Sequence, residues 1–383
     1  MSADLDRLRL ARTEGVGPIT YRRLLRRFRS ATEAIGALPD LARAGGRAAP
    51  LTVPPVATAE RELERVHKLG ARLLFLNEEA YPPLLALLDD APAVVTVLGD
   101  IRAFAPRAVA LVGSRNASVN GQRLAETLAQ ELAAAGLAVV SGLARGIDAA
   151  SHEGALRGGL TIACVAGGID MPYPPEHAAL QQRIVDHGGA IVAEMPPGTA
   201  PQSRLFIRRN RIIAGLSLGV VVVEAAIRSG ALVTARIGQD ANREVFAVPG
   251  SPLDPRCRGA NDLIRQGAHL VETAADVLSH LPDHPGREGL SRLPIFARGP
   301  APEGMAEEFP PWPETPDTSV PDISAHEILL QLLGPSPTSV DDLLRRCQLS
   351  PATVMSALLD LELAGRVEAL PGNRVALLSE PGF

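Results

Sequence analysis

From residue 72 to residue 281, short apolar stretches alternate with amphipathic segments of about ten to fifteen residues. The apolar stretches are rich in β-branched residues, as in Leu218–Val223. Such continuous runs are typical of strands that are buried on both faces of a sheet. Strands separated by helices form β-α-β units, in which the strands are parallel. The sequence therefore predicts an α/β fold built on a doubly wound, mostly parallel sheet.

The residues before this region, 1–66, predict a small helical module. A turn at Gly15–Pro18 leads into a helix at Thr20–Phe28, and the arginines of this helix are i,i+4 neighbours that form one cationic face. These arginines are Arg22, Arg23, Arg26 and Arg27. A glycine turn that opens a helix offers backbone N–H groups to phosphate. The outline resembles a helix-hairpin-helix module that grips the DNA backbone, with these arginines as secondary DNA contacts, but it equally fits a helical protein-interaction module.

Two further segments follow the sheet region, which we place at residues 67–285. Residues 286–322 are rich in proline and lack periodicity, which indicates a linker. Residues 323–383 predict three helices and a hairpin, the pattern of a winged helix. Its third helix, Pro351–Ala364, contains no Lys or Arg and carries Asp360 and Glu362. Because helices that read a DNA groove are normally cationic or rich in amides, this pattern favours a winged helix that docks onto protein.

The charges are distributed unevenly along the 383 residues, whose net charge is −5. Residues 1–50 contain ten arginines and five acidic residues, whereas residues 322–383 contain four arginines and eight acidic residues. A basic front end and an acidic tail are compatible with nucleic acid as a partner. The three cysteines are far apart, which indicates neither a disulfide framework nor a metal site. The chain shows no apolar stretch of membrane-spanning length and no signal-peptide pattern, so we expect a cytoplasmic protein.

The strongest functional signal is an arginine cluster directly ahead of the strand at Leu218–Val223. Arg208, Arg209 and Arg211 lie within four residues, with Asn210 between them and Phe206 just ahead. Guanidinium groups are permanently charged and present a planar fork that fits phosphate. Three of them repel one another unless an anion lies between them. The cluster therefore predicts an anion-binding site.

Loops after the predicted strands extend this site, because ligands bind beyond the carboxyl ends of strands in doubly wound sheets. Small residues in these loops allow the backbone to approach phosphate closely. The predicted DNA-binding residues are Gly113, Ser114, Arg115, Arg145, Phe206, Arg208, Arg209, Asn210, Arg211, Ser229 and Gly230. The chain has neither the G-x-G-x-x-G nor the Walker motif, so we expect no nucleotide cofactor.

An enzymatic serine is not supported by the sequence. Gly215–Gly219 fits G-x-S-x-G by letter, but it runs from a helix into a strand, which is the reverse of a nucleophile elbow. We therefore expect no catalytic residue and no metal.

Six ordered blocks of the sheet region resemble one known family, the DNA-processing protein A (DprA/Smf) family. The blocks are VGSR at 112–115, SGLARGID at 141–148, GGID with YP at 167–174, RNRIIAGLS at 209–217, SGALVTA at 229–235 and VFAVPG at 245–250. Ile207 stands where the family usually has proline, and Ser151 departs from the family's block at that position.

The resemblance implies a role as well as a fold. In that family a Rossmann-like domain binds single-stranded DNA, dimerises and helps to load RecA during natural transformation. It implies that this chain is not an enzyme, that it protects incoming DNA, and that its partners are single-stranded DNA, RecA and a second copy. Arg115, Arg209, Asn210 and Arg211 should then hold phosphates, and Phe206 should stack on a base.

A different class of function remains as the alternative. Rossmann-like nucleotide phosphoribohydrolases of the lysine-decarboxylase-like group carry a signature that resembles P-G-G-x-G-T-x-x-E. The corresponding loop here, Arg228–Thr234, lacks the double glycine and the glutamate that follows. The sequence therefore favours a DNA-binding protein over this enzyme.

Overall fold

The computed structural model describes residues 2–47, 51–282, 325–347 and 349–378. It divides into two compact units. The first unit contains residues 1–60 and 291–383, and the second contains residues 61–290. The predicted linker at 286–322 lies outside the described residues.

The second unit is built on a nine-stranded sheet with the order β1-β2-β6-β5-β4-β3-β7-β8-β9. The strands are β1 Arg72–Phe75, β2 Val94–Gly99, β3 Ala108–Val112, β4 Ala138–Ser141, β5 Thr161–Val165, β6 Ala190–Ala193, β7 Gly219–Val222, β8 Glu244–Ala247 and β9 His269–Leu270. In the spatial order of the sheet, the six neighbouring pairs between β6 and β9 are all parallel. The pairs β1–β2 and β2–β6 are antiparallel. The predicted α/β fold class, a doubly wound and mostly parallel sheet, is confirmed.

Helices link these strands and cover the sheet. They are α4 Val56–Lys68, which leads into β1, α5 Pro83–Ala86, α6 Val119–Ala134, α7 Ile147–Gly158, α8 Ala178–Asp186, α9 Ser203–Gly215, α10 Gly230–Asp240, α11 Arg258–Arg265 and α12 Ala274–His280. One apolar core packs Leu128 of α6 and Val277 of α12 against Leu111 and Phe246 of the central strands. None of the helices in the described segments is both long and apolar enough to cross a membrane.

The first unit contains the predicted helical module and the winged helix. The helical module has α1 Ser2–Ala11, α2 Pro18–Arg27 and α3 Ala31–Ala44, and the winged helix has α13 Ala325–Leu332, α14 Val340–Arg346, α15 Pro351–Leu363, β10 Thr338–Ser339, β11 Val367–Leu370 and β12 Arg374–Leu377. Proline occupies the start of α2 and of α15, where its missing N–H costs nothing. The side chains of Ser30 and Ser350 cap α3 and α15.

A buried histidine fastens α7 to the sheet. His152 is fully buried, and its Nδ1 lies 2.7 Å from the hydroxyl of Thr161. Because that hydroxyl donates to the Val139 carbonyl, it accepts from the ring, which therefore carries a proton on Nδ1. Burial, together with the nearby charge of Arg209, lowers the pKa of His152 to about 3. The ring is therefore a structural group and remains uncharged in the folded protein.

We expect this histidine to make the fold sensitive to acid. Between about pH 6.5 and the depressed pKa, the unfolded chain binds a proton at this residue and the folded chain does not, so stability is lost as the pH falls. The loss is up to about 1.4 kcal/mol per pH unit. His152→Gln should flatten the dependence of the unfolding free energy on pH between about pH 6 and pH 4, measured by urea titration. The exposed His187→Gln is the control, and an equal effect of the two changes would contradict the assignment.

Candidate nucleic-acid interface

The candidate site lies at the carboxyl edge of the parallel strands. From β3 the chain adds β4, β5 and β6 on one side, and then returns to add β7, β8 and β9 on the other. The loops after β3 and β7 therefore flank the point at which the strand order reverses, where doubly wound sheets bind ligands. The loop after β4, residues 142–146, lies beside the loop after β3 because these two strands are paired.

Two glycines allow the loops after β3 and β4 to pack against each other. Gly146 has a positive φ of 74°, and a methyl group there would overlap the Ser114 carbonyl oxygen. At Gly113 a methyl group would come within 2.8 Å of the Ile147 side chain. The backbone N–H of Ile147 donates to the Ser114 carbonyl at 3.2 Å. This contact fixes the stretch that presents Arg115.

An arginine and two aromatic rings form the exposed part of the site. The guanidinium carbon of Arg115 lies 4.8 Å from the centre of the Phe206 ring, at a distance typical of cation–π contacts. The Tyr173 ring lies 5.4 Å from Phe206, tilted by 60°. Tyr173 is 46% exposed, and Arg115 is also exposed, so both can reach a ligand.

Arg115 and Tyr173 also line a cleft with a volume of about 360 Å³. Its lining consists of Arg115, Asn116, Ala144, Arg145, Tyr173 and Pro174. The Arg145 side chain is two-thirds exposed and its Nε donates to Glu176 at 2.6 Å. An exposed ion pair of this kind is weak and exchanges readily for another anion. The cleft thus combines two accessible guanidinium groups with a ring surface, and we refer to it below as the arginine–aromatic cleft.

At the reversal point itself, the chain supplies its own anion. Glu224 follows β7, and its buried carboxylate accepts hydrogen bonds from the backbone N–H of Ser118, at 2.9 Å, and from the Ser118 hydroxyl. Ser118 is the N-cap of α6, and a methyl group at Gly121 would strike the same carboxylate. Helix N-termini at this point of a doubly wound sheet are where dinucleotide phosphates bind. Here Glu224 occupies that position.

Arg209 is buried, contrary to the exposed phosphate contact that the sequence suggests. It is only 5% exposed, and its Nη1 donates to the Cys164 carbonyl at 2.9 Å. Its guanidinium and the buried Asp148 carboxylate both lie against Gly142, where any side chain would collide with both. Burial raises the pKa of Asp148, and the positive charge of Arg209 opposes that rise. Arg209 is therefore part of the scaffold beneath the loop that carries Arg145.

Arg211 and Arg208 share one acid, Glu194, which directly follows β6. Arg211 is 7% exposed, and its Nη2 lies 2.6 Å from Oε1 of Glu194, while its Nη1 donates to the Asp90 carbonyl. Arg208 is half-exposed and binds the same carboxylate through Nε and Nη2 at 3.1 and 2.7 Å. The anion between the clustered arginines is thus an internal carboxylate. Arg211 therefore offers almost no surface to a phosphate, whereas Arg208 keeps a partly exposed edge.

The remaining predicted residues lie outside the lining of the cleft. The Asn210 amide donates to the Gly230 carbonyl at 3.3 Å, and the Ser229 hydroxyl caps α10 by accepting from the Ala231 N–H. Ser229 and Gly230 therefore open α10, as the sequence suggests, with no described contact to Arg115. The secondary set Arg22, Arg23, Arg26 and Arg27 belongs to the other unit.

Tyr173 and Asn116 belong to the cleft but are missing from the residues that the sequence singles out. Asn116 directly follows the predicted Gly-Ser-Arg loop, so its position was available from the sequence. Tyr173 follows the Gly-Gly-Ile-Asp loop, and its signal was the scarcity of aromatic residues, 3% of the chain. Glu194 could have been noticed as an acid at the end of a buried strand, which must find a positive partner.

The fold and the site define a class: a protein whose Rossmann-like unit carries an arginine–aromatic cleft and whose other unit contains a helical module and a winged helix. Residues 72–282 match the model of the family described as "DNA recombination-mediator protein A". Residues 2–64 match a "DprA-like N-terminal HHH domain", and residues 313–373 match a "DprA winged helix domain". The chain belongs to the DprA/Smf family of DNA-processing, recombination-mediator proteins.

Individual relatives agree with this membership. Protein Smf of Escherichia coli is 38% identical over 324 residues, which cover 84% of this chain and 82% of that protein. The X-ray structure of DprA from Streptococcus pneumoniae matches with a TM-score of 0.64 and 33% identity, and covers 74% of this chain and 99% of that one. DprA from Helicobacter pylori, described with a single-stranded DNA binding mode, has a TM-score of 0.50 and 28% identity over 55% of this chain and 94% of that one.

The burial of Arg211 predicts that its loss weakens the fold. Arg211→Ala removes a hydrogen bond to the buried Glu194 carboxylate, and bonds to charged groups contribute about 1.5–3 kcal/mol. We expect a loss of this size in the unfolding free energy, measured by urea denaturation. Arg204→Ala, an exposed arginine of the same helix, should change it by less than about 0.5 kcal/mol. Unchanged stability with lost DNA binding would instead make Arg211 a DNA contact.

Proposed function

We propose that this protein binds single-stranded DNA in the arginine–aromatic cleft and acts there as a recombination mediator rather than as an enzyme. The observation that carries the proposal is the group of Arg115, Phe206 and Tyr173 beside Arg145, with ring and cation distances of 5.4 and 4.8 Å. The single-stranded DNA binding described for the Helicobacter pylori relative supports the same ligand class.

The chemistry of the cleft suits a single strand. Arg115 and Arg145 can bind successive phosphates, and the guanidinium of Arg145 exchanges its exposed partner Glu176 for a phosphate at little cost. The rings of Phe206 and Tyr173 can stack on bases, which only an unpaired strand leaves accessible. Since stacking and phosphate contacts do not discriminate strongly among bases, binding should be weakly sequence-selective and steeply dependent on salt.

The position of Glu224 favours a polymer over a free nucleotide as the ligand. A mononucleotide or dinucleotide in a doubly wound sheet places its phosphate at the helix N-terminus where Glu224 accepts its hydrogen bonds. A carboxylate at that position repels a phosphate. This argues for DNA binding rather than for the alternative, a nucleotide phosphoribohydrolase, whose substrate is such a nucleotide.

The remaining parts of the proposed role rest on the family. We propose that the protein protects incoming DNA and helps RecA to assemble on it in natural transformation, as a homodimer through the Rossmann-like unit. The terminal strand β9, with Leu270 48% exposed, supports pairing of two copies at that edge of the sheet. We expect the protein to shorten the lag of RecA filament assembly on single strands covered by single-strand-binding protein; an unchanged lag would contradict this part.

Substitutions in the cleft test the DNA site. Arg115→Ala should weaken binding equally on all sequences and reduce the slope of log affinity against log salt by about 0.7, because one phosphate contact is lost. Phe206→Ala should cost about 1–3 kcal/mol through lost stacking and leave the salt slope unchanged. Fluorescence anisotropy with labelled single- and double-stranded oligonucleotides at several salt concentrations measures both effects.

Arg183→Ala is the matched control for Arg145→Ala. Arg183 is also an exposed arginine paired with a glutamate, Glu153, but it lies in the last turn of α8, towards the opposite edge of the sheet. We expect Arg145→Ala to weaken DNA binding and Arg183→Ala to leave it unchanged. Equal losses would mean that net charge, and not the cleft, determines affinity.

A further inference from the structure

The third helix of the winged helix, α15, is covered by the helical module within the first unit. Arg23 of α2 forms an ion pair with Glu362 at 3.2 Å, and both side chains are mostly buried. Arg27 donates to the Ser356 hydroxyl at 3.1 Å, and Arg47 donates to the Leu363 carbonyl at 3.2 Å. These three contacts join segments that are more than 300 residues apart in the chain.

The packing between the two modules is close enough to need a glycine. Gly45 ends α3, and a methyl group there would overlap the Asp360 carbonyl oxygen of α15. Ser356, Asp360 and Leu363 lie on one flank of α15 at helical spacing, and Asp360 and Leu363 are buried. The opposite flank, with Val354, Leu358 and Leu361, belongs to the core of the winged helix. Thus the part of α15 from Ser356 onward is enclosed on both sides, whereas its first turn, Pro351–Thr353, is exposed.

The acidic side chains of α15 are paired with basic side chains within the first unit. Burial raises the pKa of Glu362, and its hydrogen bond from Thr20 and the charge of Arg23 oppose the rise. Asp360 is paired with His326 at 3.2 Å. A helix with these acids repels a phosphate backbone but fits a buried arginine. The sequence preference for protein docking therefore has a concrete partner in this chain's own helical module.

The same contact divides the arginines of α2 between two environments. Arg23 is mostly buried against α15, whereas Arg26 and Arg27 at the end of α2 and Arg29 just beyond it are exposed, although Arg27 also donates to Ser356. Among the residues that the structure describes, none of these three guanidiniums forms an ion pair with a carboxylate. We refer to Arg26, Arg27 and Arg29 as the arginine edge. Three exposed cations in four residues, none with a carboxylate partner among the described residues, fit a chain of phosphates better than a single anion.

We propose that α15 is the docking helix for the helical module, and that the nucleic-acid contact of this unit is the arginine edge rather than the third helix of the winged helix. This assignment rests on the proposed function, because it takes nucleic acid as the polyanion. It separates residues that the sequence groups together: Arg23 has a structural role, whereas Arg26 and Arg27 keep exposed guanidinium surface for the ligand, Arg27 beside its hydrogen bond to Ser356.

The docking is tested by a wedge in the full-length protein. Gly45→Leu should separate the modules and speed backbone hydrogen exchange in both α2 and α15, measured by mass spectrometry. Gly36→Leu is the matched control, because it lies in the same helix and nothing stands within 4 Å of its added methyl group. In a second test, Arg23→Glu should speed exchange in α15, and Arg23→Glu combined with Glu362→Arg should restore it. Exchange that neither Gly45→Leu nor Arg23→Glu alters would overturn the docking role.

The ligand contact is tested by two further variants of the full chain. Arg26→Gln/Arg27→Gln/Arg29→Gln should weaken binding of a long single-stranded oligonucleotide and reduce its salt slope by about 2, for three lost phosphate contacts. Thr353→Glu places an acid in the first turn of α15, where groove-reading helices contact bases. It also completes a capping box with Ser350, so the helix is retained. We expect Thr353→Glu to leave binding unchanged.

The outcomes separate this inference from the proposed function. If Thr353→Glu abolishes binding and the triple change does not, the third helix is the reader and the inference is wrong. If Arg115→Ala weakens binding but the triple change has no effect, the cleft binds DNA and only the arginine edge fails. If the unaltered protein binds no oligonucleotide, the proposed function itself fails.

Discussion

The second unit depends on the requirement that a buried guanidinium keeps its charge and must therefore find anionic or carbonyl partners. Arg209 donates to the Cys164 carbonyl and lies near the Asp148 carboxylate, whose charge favours its own, and Arg211 donates to Glu194. These partners lie on α7, β5 and the residue after β6, whereas both arginines lie on α9. The two side chains therefore tie one helix to the ends of several strands. The loop with Arg145, and with it the shape of the cleft, rests on this framework.

Local pattern was sufficient to predict the architecture. The β-branched runs, the spacing of the helices and the capping residues Ser350 and Pro351 define elements by short-range preferences, and the structure agrees with them. The glycine-rich loops were also placed correctly at the carboxyl edge, because a parallel sheet fixes where they must lie. The same basis places Arg115 at that edge, in the loop after β3.

The role of each arginine within the cluster could not be read from the sequence. A run such as Arg208–Arg211 suggests a shared ligand, but the direction of each side chain depends on the turn of the helix and on acids distant in sequence. Glu194 and Asp148 offset the charges of arginines that are indistinguishable in the sequence. Arg209 and Arg211 therefore become buried structural residues, and only Arg208 keeps a partly exposed side chain. The same limit applies to α2, where Arg23 pairs with an acid 339 residues away.

Glu224 has a consequence that reaches beyond geometry. Many doubly wound sheets hold a nucleotide at the point that its carboxylate fills, and cells contain such nucleotides in abundance. A protein that handles DNA strands would be inhibited by these small competitors if its helix N-terminus were open. By keeping a carboxylate of its own at that place, the chain puts a negative charge where the phosphate of such a nucleotide would otherwise lie. One acidic side chain thus distinguishes this sheet from nucleotide-binding sheets of the same topology.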